Sequence, residues 1–314
     1  MLRPEKKKTL ILCCFVLLFV SLVASLPYFY KTFENGFVNQ VSSKKRDNRP
    51  IKKLIYKDMI QSKEGEKAKK ITPEALMPNR NHNYQALSYA YSAKWVNEVL
   101  QGKKHITGKK LVFLTFDDGP NNVITPKILD KLKKEKVPAT FFTVGKEIGK
   151  EKRSILKREI KEGHAIALHS FTHDYHQLYP ERKGNKDVII KEVKANQDAL
   201  KKQLGDHFHS SVFRYPGGHM SWKDLEESDQ LLSEEGIQWI DWNAANGDAL
   251  DDSQAPKTKD DMITFHKKTL NYFPDRGIRV ILMHDAVGKK LTLEALDAII
   301  SYYKQEGYIF AVLH

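Results

Sequence analysis

The chain has 314 residues, 41% hydrophobic and 29% charged, with a net charge of +13 and two cysteines. The apolar content supports a real core, and the length allows one large domain with appendages or two medium ones. The cysteines, Cys13 and Cys14, are adjacent, so residues beyond them hold none and a disulfide framework is excluded.

In chain order, Arg3, Lys6, Lys7 and Lys8 precede Leu10–Leu26, a nearly unbroken apolar run followed by Tyr28, Phe29 and Tyr30. A run of this length spans a bilayer, with aromatics at the interface and the basic flank in the cytoplasm. The alternative is a cleaved signal peptide. Val23-Ala24-Ser25 offers small residues, but Leu26, Pro27 and the aromatics make a poor cleavage context, so residues 1–30 read as an uncleaved transmembrane anchor. The cysteine pair reads as small hydrophobes in lipid. Residues 31–83 are lysine-rich, with prolines and little apolar periodicity, and are expected to form a solvated basic linker. In an exported chain such a run meets anionic lipid or acidic wall polymers rather than nucleic acid. Residues 84–109 form a lead-in, with one helix expected over 84–100.

From residue 110 to 314 the pattern alternates. Strands are expected at Leu111–Phe116, Ala139–Val144, His164–His169, Val212–Tyr215, Ile237–Asn243, Arg279–His284 and Tyr308–Leu313. Helices are expected at Thr125–Lys136, Lys146–Glu162, Lys186–Leu204, Trp222–Glu235, Lys259–Phe273 and Leu291–Glu306. Repeated β then α implies parallel strands with crossover helices, here an α/β fold, a distorted (β/α) barrel of about seven parallel strands. The first strand is followed by neither a dinucleotide-binding glycine fingerprint nor a P-loop.

The polar residues gather at the C-terminal ends of these strands. Asp117 and Asp118 end the first, His169 the third with His173 four residues on, and Arg214 lies in the fourth before Gly217. Asp241 and Trp242 end the fifth, and His284 and Asp285 the sixth. In (β/α) barrels these ends share one mouth, where active sites form. Asp-Asp-Gly-Pro is also ordinary turn chemistry. The spacing His169-Ser-Phe-Thr-His173 suits two metal ligands on one face of a helical turn, and two imidazoles with one carboxylate make a catalytic zinc set.

The motifs TFDDGP, HSFTH, RYPGG, DW and LMH, in this order, resemble the polysaccharide deacetylases of carbohydrate esterase family 4, the NodB-homology domain, over residues 110–314. The layout resembles the membrane-anchored peptidoglycan N-acetylglucosamine deacetylases of Gram-positive bacteria. The resemblance implies that Asp118, His169 and His173 hold one divalent metal ion, most simply Zn2+, with Co2+ or others also able to serve. It implies that Asp117 is the general base, His284 the general acid, and Arg214 the residue that positions the base and lowers its pKa, with Asp241 paired to Arg214. Trp242 and Leu282 would wall an acetyl pocket, and the Gly217 N–H would hold the oxyanion. Family members often carry a large, frequently aromatic side chain where this chain has Gly217, so that side of the groove is expected to be open. Trp222 and Trp239 read as core, and Asn243–Asp248 as a polar turn or a substrate-facing loop.

The implied reaction is hydrolytic removal of acetate from N-acetylglucosamine in a cell-wall glycan, peptidoglycan first. The alternatives are the same chemistry on a wall-attached polysaccharide, its linkage unit or an exopolysaccharide, or a non-catalytic glycan-binding scaffold. The expected location is the bacterial cell membrane, single-pass, with the catalytic domain facing the wall. Protease added to wall-stripped cells should therefore remove the domain. Protection, or a soluble form with a new N-terminus near Leu26, would contradict the anchor.

Overall fold

Alternation along one strand sets the architecture. In the computed structural model, which describes residues 71–314, strand β2 (Lys110–Gly119) is buried on both faces. Its even residues Val112, Leu114 and Phe116 pack with surrounding helices. Its odd residues Leu111 and Phe113 join an inner cluster. Thr115 and Asp117 continue that inner column upward. The same parity holds in β8 (Ile278–His284): Ile278 and Val280 lie in the inner cluster, Ile281 and Met283 in the outer one.

The remaining strands are β1 (Ala90–Tyr91), β3 (Thr140–Thr143), β4 (Ala165–Leu168), β5 (Val212–Phe213), β6 (Gln238–Trp239), β7 (Ala244–Ala245), β9 (Tyr308–Phe310) and β10 (Val312–Leu313). The main sheet runs β6-β5-β4-β3-β2-β8-β7, with β9 paired to the start of β2. All its pairs are parallel. Strands β6 and β7 do not pair with each other, so the sheet is a curled, incomplete barrel of seven strands along this path. The helices are α1 (Ala93–Leu100), α2 (Thr125–Glu135), α3 (Arg153–Lys161), α4 (Tyr175–Leu178), α5 (Lys186–Leu204), α6 (Glu226–Glu234), α7 (Lys259–Thr269) and α8 (Lys290–Gln305). Ala93, Val96 and Val99 of α1 pack into the inner cluster.

The strand expected at Ile237–Asn243 is cut to β6, that expected at Tyr308–Leu313 splits into β9 on β2 and β10 on β1, and three further expectations differ from the structure. Residues 84–100 are not one helix: a short 3-10 turn at Gln85–Ser88 and β1 precede α1, which Ser92 caps by accepting from the Trp95 N–H. Pairing of β1 with β10 outweighs helix continuation there. Residues 71–83 belong to the folded body rather than a solvated linker. Asn81, His82 and Asn83 are buried, and the Asn81 side chain donates to the Leu313 carbonyl at 3.0 Å. Polar side chains tie this segment down, so apolar periodicity could not reveal it. The helix expected at Lys146–Glu162 begins only at Arg153, after two 3-10 turns around Gly149. The anchor at 1–30 and the linker to residue 70 lie outside the described residues. Among the described residues, no helix is long and apolar enough to cross a membrane.

One glycine is fixed by packing at the mouth. A Cβ on Gly119 would collide with the Asp285 carboxylate, itself buried and bonded to the Thr125 hydroxyl. Gly119→Ala should therefore cost about 1–3 kcal/mol, the range for overpacking a filled interior. Urea unfolding would show this as a lower midpoint with an unchanged slope.

Candidate active site

The inner columns deliver the polar residues. Five site residues stand two positions beyond residues of these inner columns: Asp117 after Thr115, His169 after Ala167, Arg214 after Val212, Trp242 after Ile240, and His284 after Leu282, whereas Phe142 of β3, also in the inner cluster, leads only to Val144. Register does the rest, since Asp117 is directly paired with His284 and Thr115 with Leu282.

Adjacent strand residues ordinarily face opposite ways, so Asp117 and Asp118 need a local device to share a site. The β2–β3 register shifts between Asp117 and Gly119, and Asp118 has φ +76°. This bulge re-aims the second carboxylate. Asp117 stays 2% exposed, while Asp118 turns toward two imidazoles. Its Oδ1 lies 3.6 Å from His169 Nε2 and 3.4 Å from His173 Nε2.

The histidine pair is not on a helical turn, as its spacing suggested. It sits on a loop with Ser170 (φ +61°) and His173 (φ +57°) left-handed, and the ring centroids are 5.0 Å apart. Buried groups from α5 hold this backbone. Glu192 accepts from the N–H groups of Phe171 and Thr172 at 2.9 and 2.8 Å and from the Thr172 hydroxyl at 2.7 Å. Asn196 donates to the carbonyls of Thr143 and Ser170, both at 2.6 Å. Neither residue carried a sequence signal, because both read as polar positions on an amphipathic helix.

These three groups suit a cation. His169 Nδ1 engages the Arg214 carbonyl at 2.8 Å, which leaves Nε2 free to ligate. Burial, with the His173 charge adding, lowers the His169 pKa to about 3, so the ring is neutral. Asp118 Oδ1 is buried with no hydrogen-bond partner among the described residues, an orphan that a metal would satisfy. One ligand atom from each of Asp118, His169 and His173 lies within 4.8 Å of the others. Two neutral imidazoles and one carboxylate form a borderline donor set that fits zinc.

Beside this set lie two charged dyads. Arg214, fully buried, donates Nη1 to Asp117 Oδ1 at 2.8 Å and to the Thr115 hydroxyl at 2.7 Å. Its Nε and Nη2 reach the carbonyls of Ile240 and Asp241 at 3.1 and 3.2 Å. Burial pushes the Asp117 carboxyl above the ordinary carboxylate value, and Arg214 and then His284 pull against it. Arg214 thus opposes the rise, as expected of it, without reversing it. In the second dyad His284 Nδ1 meets Asp248 Oδ1 at 2.7 Å, and the same carboxylate accepts the His284 N–H at 2.9 Å and the Thr292 hydroxyl at 2.6 Å. Burial works against a charged His284, but the Asp248 charge and hydrogen bond outweigh it and raise the pKa to about 9. Asp248 was missed as a partner of His284, since 36 residues separate them.

Asp241 does not pair with Arg214 through its carboxylate. Only its main-chain carbonyl does so. The side chain accepts from the N–H groups of His219 and Met220 at 2.9 and 3.2 Å, holding the turn after Gly217 and Gly218. The Gly217 N–H donates to no group among the described residues. Trp242 lies 5.6 Å from the Arg214 guanidinium, and its ring edge fills the space where a Gly218 side chain would start. Leu282 is buried beside it in sequence parity, at 7% exposure. The side expected to be open at Gly217 is bounded. A Cβ there would meet Trp222 at 3.1 Å and the Tyr175 hydroxyl at 3.3 Å. Trp222 is therefore a half-buried wall residue, and Trp239, also half-buried, stacks on His219 at 3.8 Å.

Residues 104–234 match the polysaccharide deacetylase family. A peptidoglycan N-acetylglucosamine deacetylase of Bacillus cereus is 30% identical over 224 residues, 70% of this chain and 72% of that protein. The deacetylase PgdA of Listeria monocytogenes is 30% identical over 225 residues, 72% of this chain but only 42% of that longer protein. A solved Streptococcus mutans CE4 esterase is 49% identical, with a TM-score of 0.74, covering 78% of this chain and all of that one.

The His284–Asp248 dyad makes a spectroscopic prediction. With Asp248→Asn the charge that holds the imidazolium is gone, and burial alone lowers a histidine pKa. The His284 titration, followed by NMR of labelled histidine, should fall from about 9 by at least about one unit. An unmoved midpoint would remove Asp248 as the cause.

Proposed function

Because this chain belongs to the polysaccharide deacetylase family, the hydrolases of carbohydrate esterase family 4, we propose that it removes acetyl groups from N-acetylglucosamine of a cell-wall glycan, peptidoglycan first. We place the reaction at the outer face of the membrane, with Leu10–Leu26 as the anchor. The observation that carries the chemical assignment is the in-register pairing of Asp117 with His284, each locked in its own dyad at the mouth.

Asp118, His169 and His173 would hold the metal ion. When bound, a divalent ion such as zinc supplies Lewis acidity toward a carbonyl and lowers the pKa of water. The protein's own groups do the rest. Asp117, held by Arg214 and raised by burial, accepts a proton from the attacking water as the new C–O bond forms. The unpartnered Gly217 N–H donates to the carbonyl oxygen as negative charge gathers there. His284, kept protonated by Asp248, gives its proton to the sugar nitrogen as the C–N bond breaks. Acetate and a free amine leave, with the Asp117 proton available to restore His284. Trp242 and Leu282 wall the acetyl methyl, and Asp241 keeps the Gly217 turn in place.

The two adjacent aspartates can be told apart. Asp118→Ala should lose metal, whereas Asp117→Asn should keep it and still be almost inactive, because an amide cannot accept the proton. His284→Ala should slow turnover by about 10²–10⁴. Metal content and acetate release on the same preparations decide the roles, and the reverse metal pattern would exchange them. Activity should also fall as pH rises through about 9, where His284 loses its proton. Mass spectrometry of intact wall, and of peptidoglycan stripped of attached polysaccharide, locates the lost acetyl groups. Loss only from the intact wall would point to the attached polymer.

A further inference from the structure

The mouth carries an aromatic surface that the proton transfers above do not use. Tyr175 opens α4 just after the His169–His173 loop. Its ring lies 5.2 Å from that of His173, yet the residue is 43% exposed. Trp222 meets Tyr175 edge-on at 5.3 Å and stacks on buried Tyr179 at 4.0 Å and 11°. The Trp222 indole N–H is spent on the Pro216 carbonyl at 2.8 Å, which fixes the ring plane. Both residues reach the empty side of Gly217. The Tyr175 hydroxyl has no hydrogen-bond partner among the described residues, although a Gly217 Cβ would lie only 3.3 Å from it. Met220, on the Asp241-held turn, is also exposed, at 40%.

Packing accounts for Tyr179 and for the face of Trp222 that covers it. It does not account for a tyrosine left half in water beside a candidate metal ligand, with its hydroxyl unused. Exposed aromatic faces with a polar tip suit ligands that are apolar on one face and hydroxylated at the edge. A pyranose ring has that character, with axial C–H groups on its face and hydroxyls around it. The rigid stack beneath Trp222 means little side-chain freedom is lost on binding.

We propose that Tyr175, braced edge-on by Trp222, whose own ring is covered by Tyr179 at 4.0 Å and by the Arg182 guanidinium at 5.5 Å, forms a glycan subsite that takes the sugar next to the reacting one, its C–H face on the Tyr175 ring and one of its oxygens on the Tyr175 hydroxyl. This rests on the deacetylase reading, and it makes the aromatic pair a reader of polymer length rather than of the acetyl group.

The test uses the full metal-loaded chain and a β-1,4-linked N-acetylglucosamine pentamer. Tyr175→Ala should raise the pentamer KM about tenfold, a change of about 1.4 kcal/mol, with kcat within about threefold. Hydrolysis of 4-nitrophenyl acetate, which has no second sugar, should stay as in the unmodified chain. Tyr175→Phe, which keeps the ring, should give a smaller KM rise. A second arm reads binding alone: in a His284→Asn background, calorimetry should show Tyr175→Ala weakening pentamer binding by a similar factor. Equal losses on ester and pentamer, an unmoved KM and Kd, or no pentamer binding by the His284→Asn chain would overturn the subsite. If the unmodified chain releases no acetate from the pentamer but binds it in a Tyr175-dependent way, the subsite stands and the deacetylase reading falls.

Discussion

A buried guanidinium is costly unless its nitrogens find acceptors, and every nitrogen of Arg214 finds at least one, through four hydrogen bonds that tie the sheet together. Its contacts reach Thr115 and Asp117 on β2 and the carbonyls of Ile240 and Asp241 just beyond β6. The guanidinium also lies 4.0 Å over the Phe142 ring of β3. One side chain thus links three strands across the barrel interior near its open seam. Because Asp117 is its one carboxylate partner among the described residues, the residue that organises the mouth also fixes the candidate base. Removing either partner would leave an uncompensated buried charge, which costs more than the pair contributes. Structural integrity and catalytic geometry are therefore bound to the same interaction.

The second dyad is built on a different balance. His284 and Asp248 sit where burial opposes charge on both, yet their short contact keeps the pair charged, with His284 raised and Asp248 lowered. Asp117, by contrast, is pushed upward. A base with raised affinity for protons faces an acid that holds its own at neutral pH, and separate partners make that division. Asp118 and His173 of the Asp-His-His set, and Ser170 beside His169, are left-handed, with φ values of +76°, +57° and +61°. Left-handed non-glycine residues are uncommon. Here Glu192 and Asn196 offset the strain by satisfying the loop's backbone groups from α5.

Much of this was legible in the chain because it is local. Continuous apolar runs mark β2 and β8 as buried strands, and they end at the polar Asp117 and His284. The ordered motifs TFDDGP, HSFTH, RYPGG, DW and LMH point to the family and to the residues that converge. Where local reasoning was applied to geometry it failed. The spacing of His169 and His173 suits a helix, but a loop with left-handed residues brings the rings together. The family resemblance paired Asp241 with Arg214, whereas its carboxylate accepts from the N–H groups of the turn beyond Gly217. Tyr175 gave no signal, since a single aromatic after a histidine motif looks like any core residue.

By itself, then, the sequence determined the repeating β/α order, the burial of the long strands and the identities of the polar residues at their ends. These follow from alternation and from side-chain chemistry, which neighbours in the chain already specify. Tertiary structure decided the partners. That Asp248 serves His284, that Glu192 and Asn196 hold the histidine loop, that Asn81 and His82 belong to the core, and that Trp222 and Tyr175 border Gly217 depend on which strands and loops become neighbours. Apart from Trp222 beside Gly217, these contacts join residues 20 to more than 200 positions apart. They are set by register and by the need to satisfy each buried polar group, and no local pattern encodes that requirement.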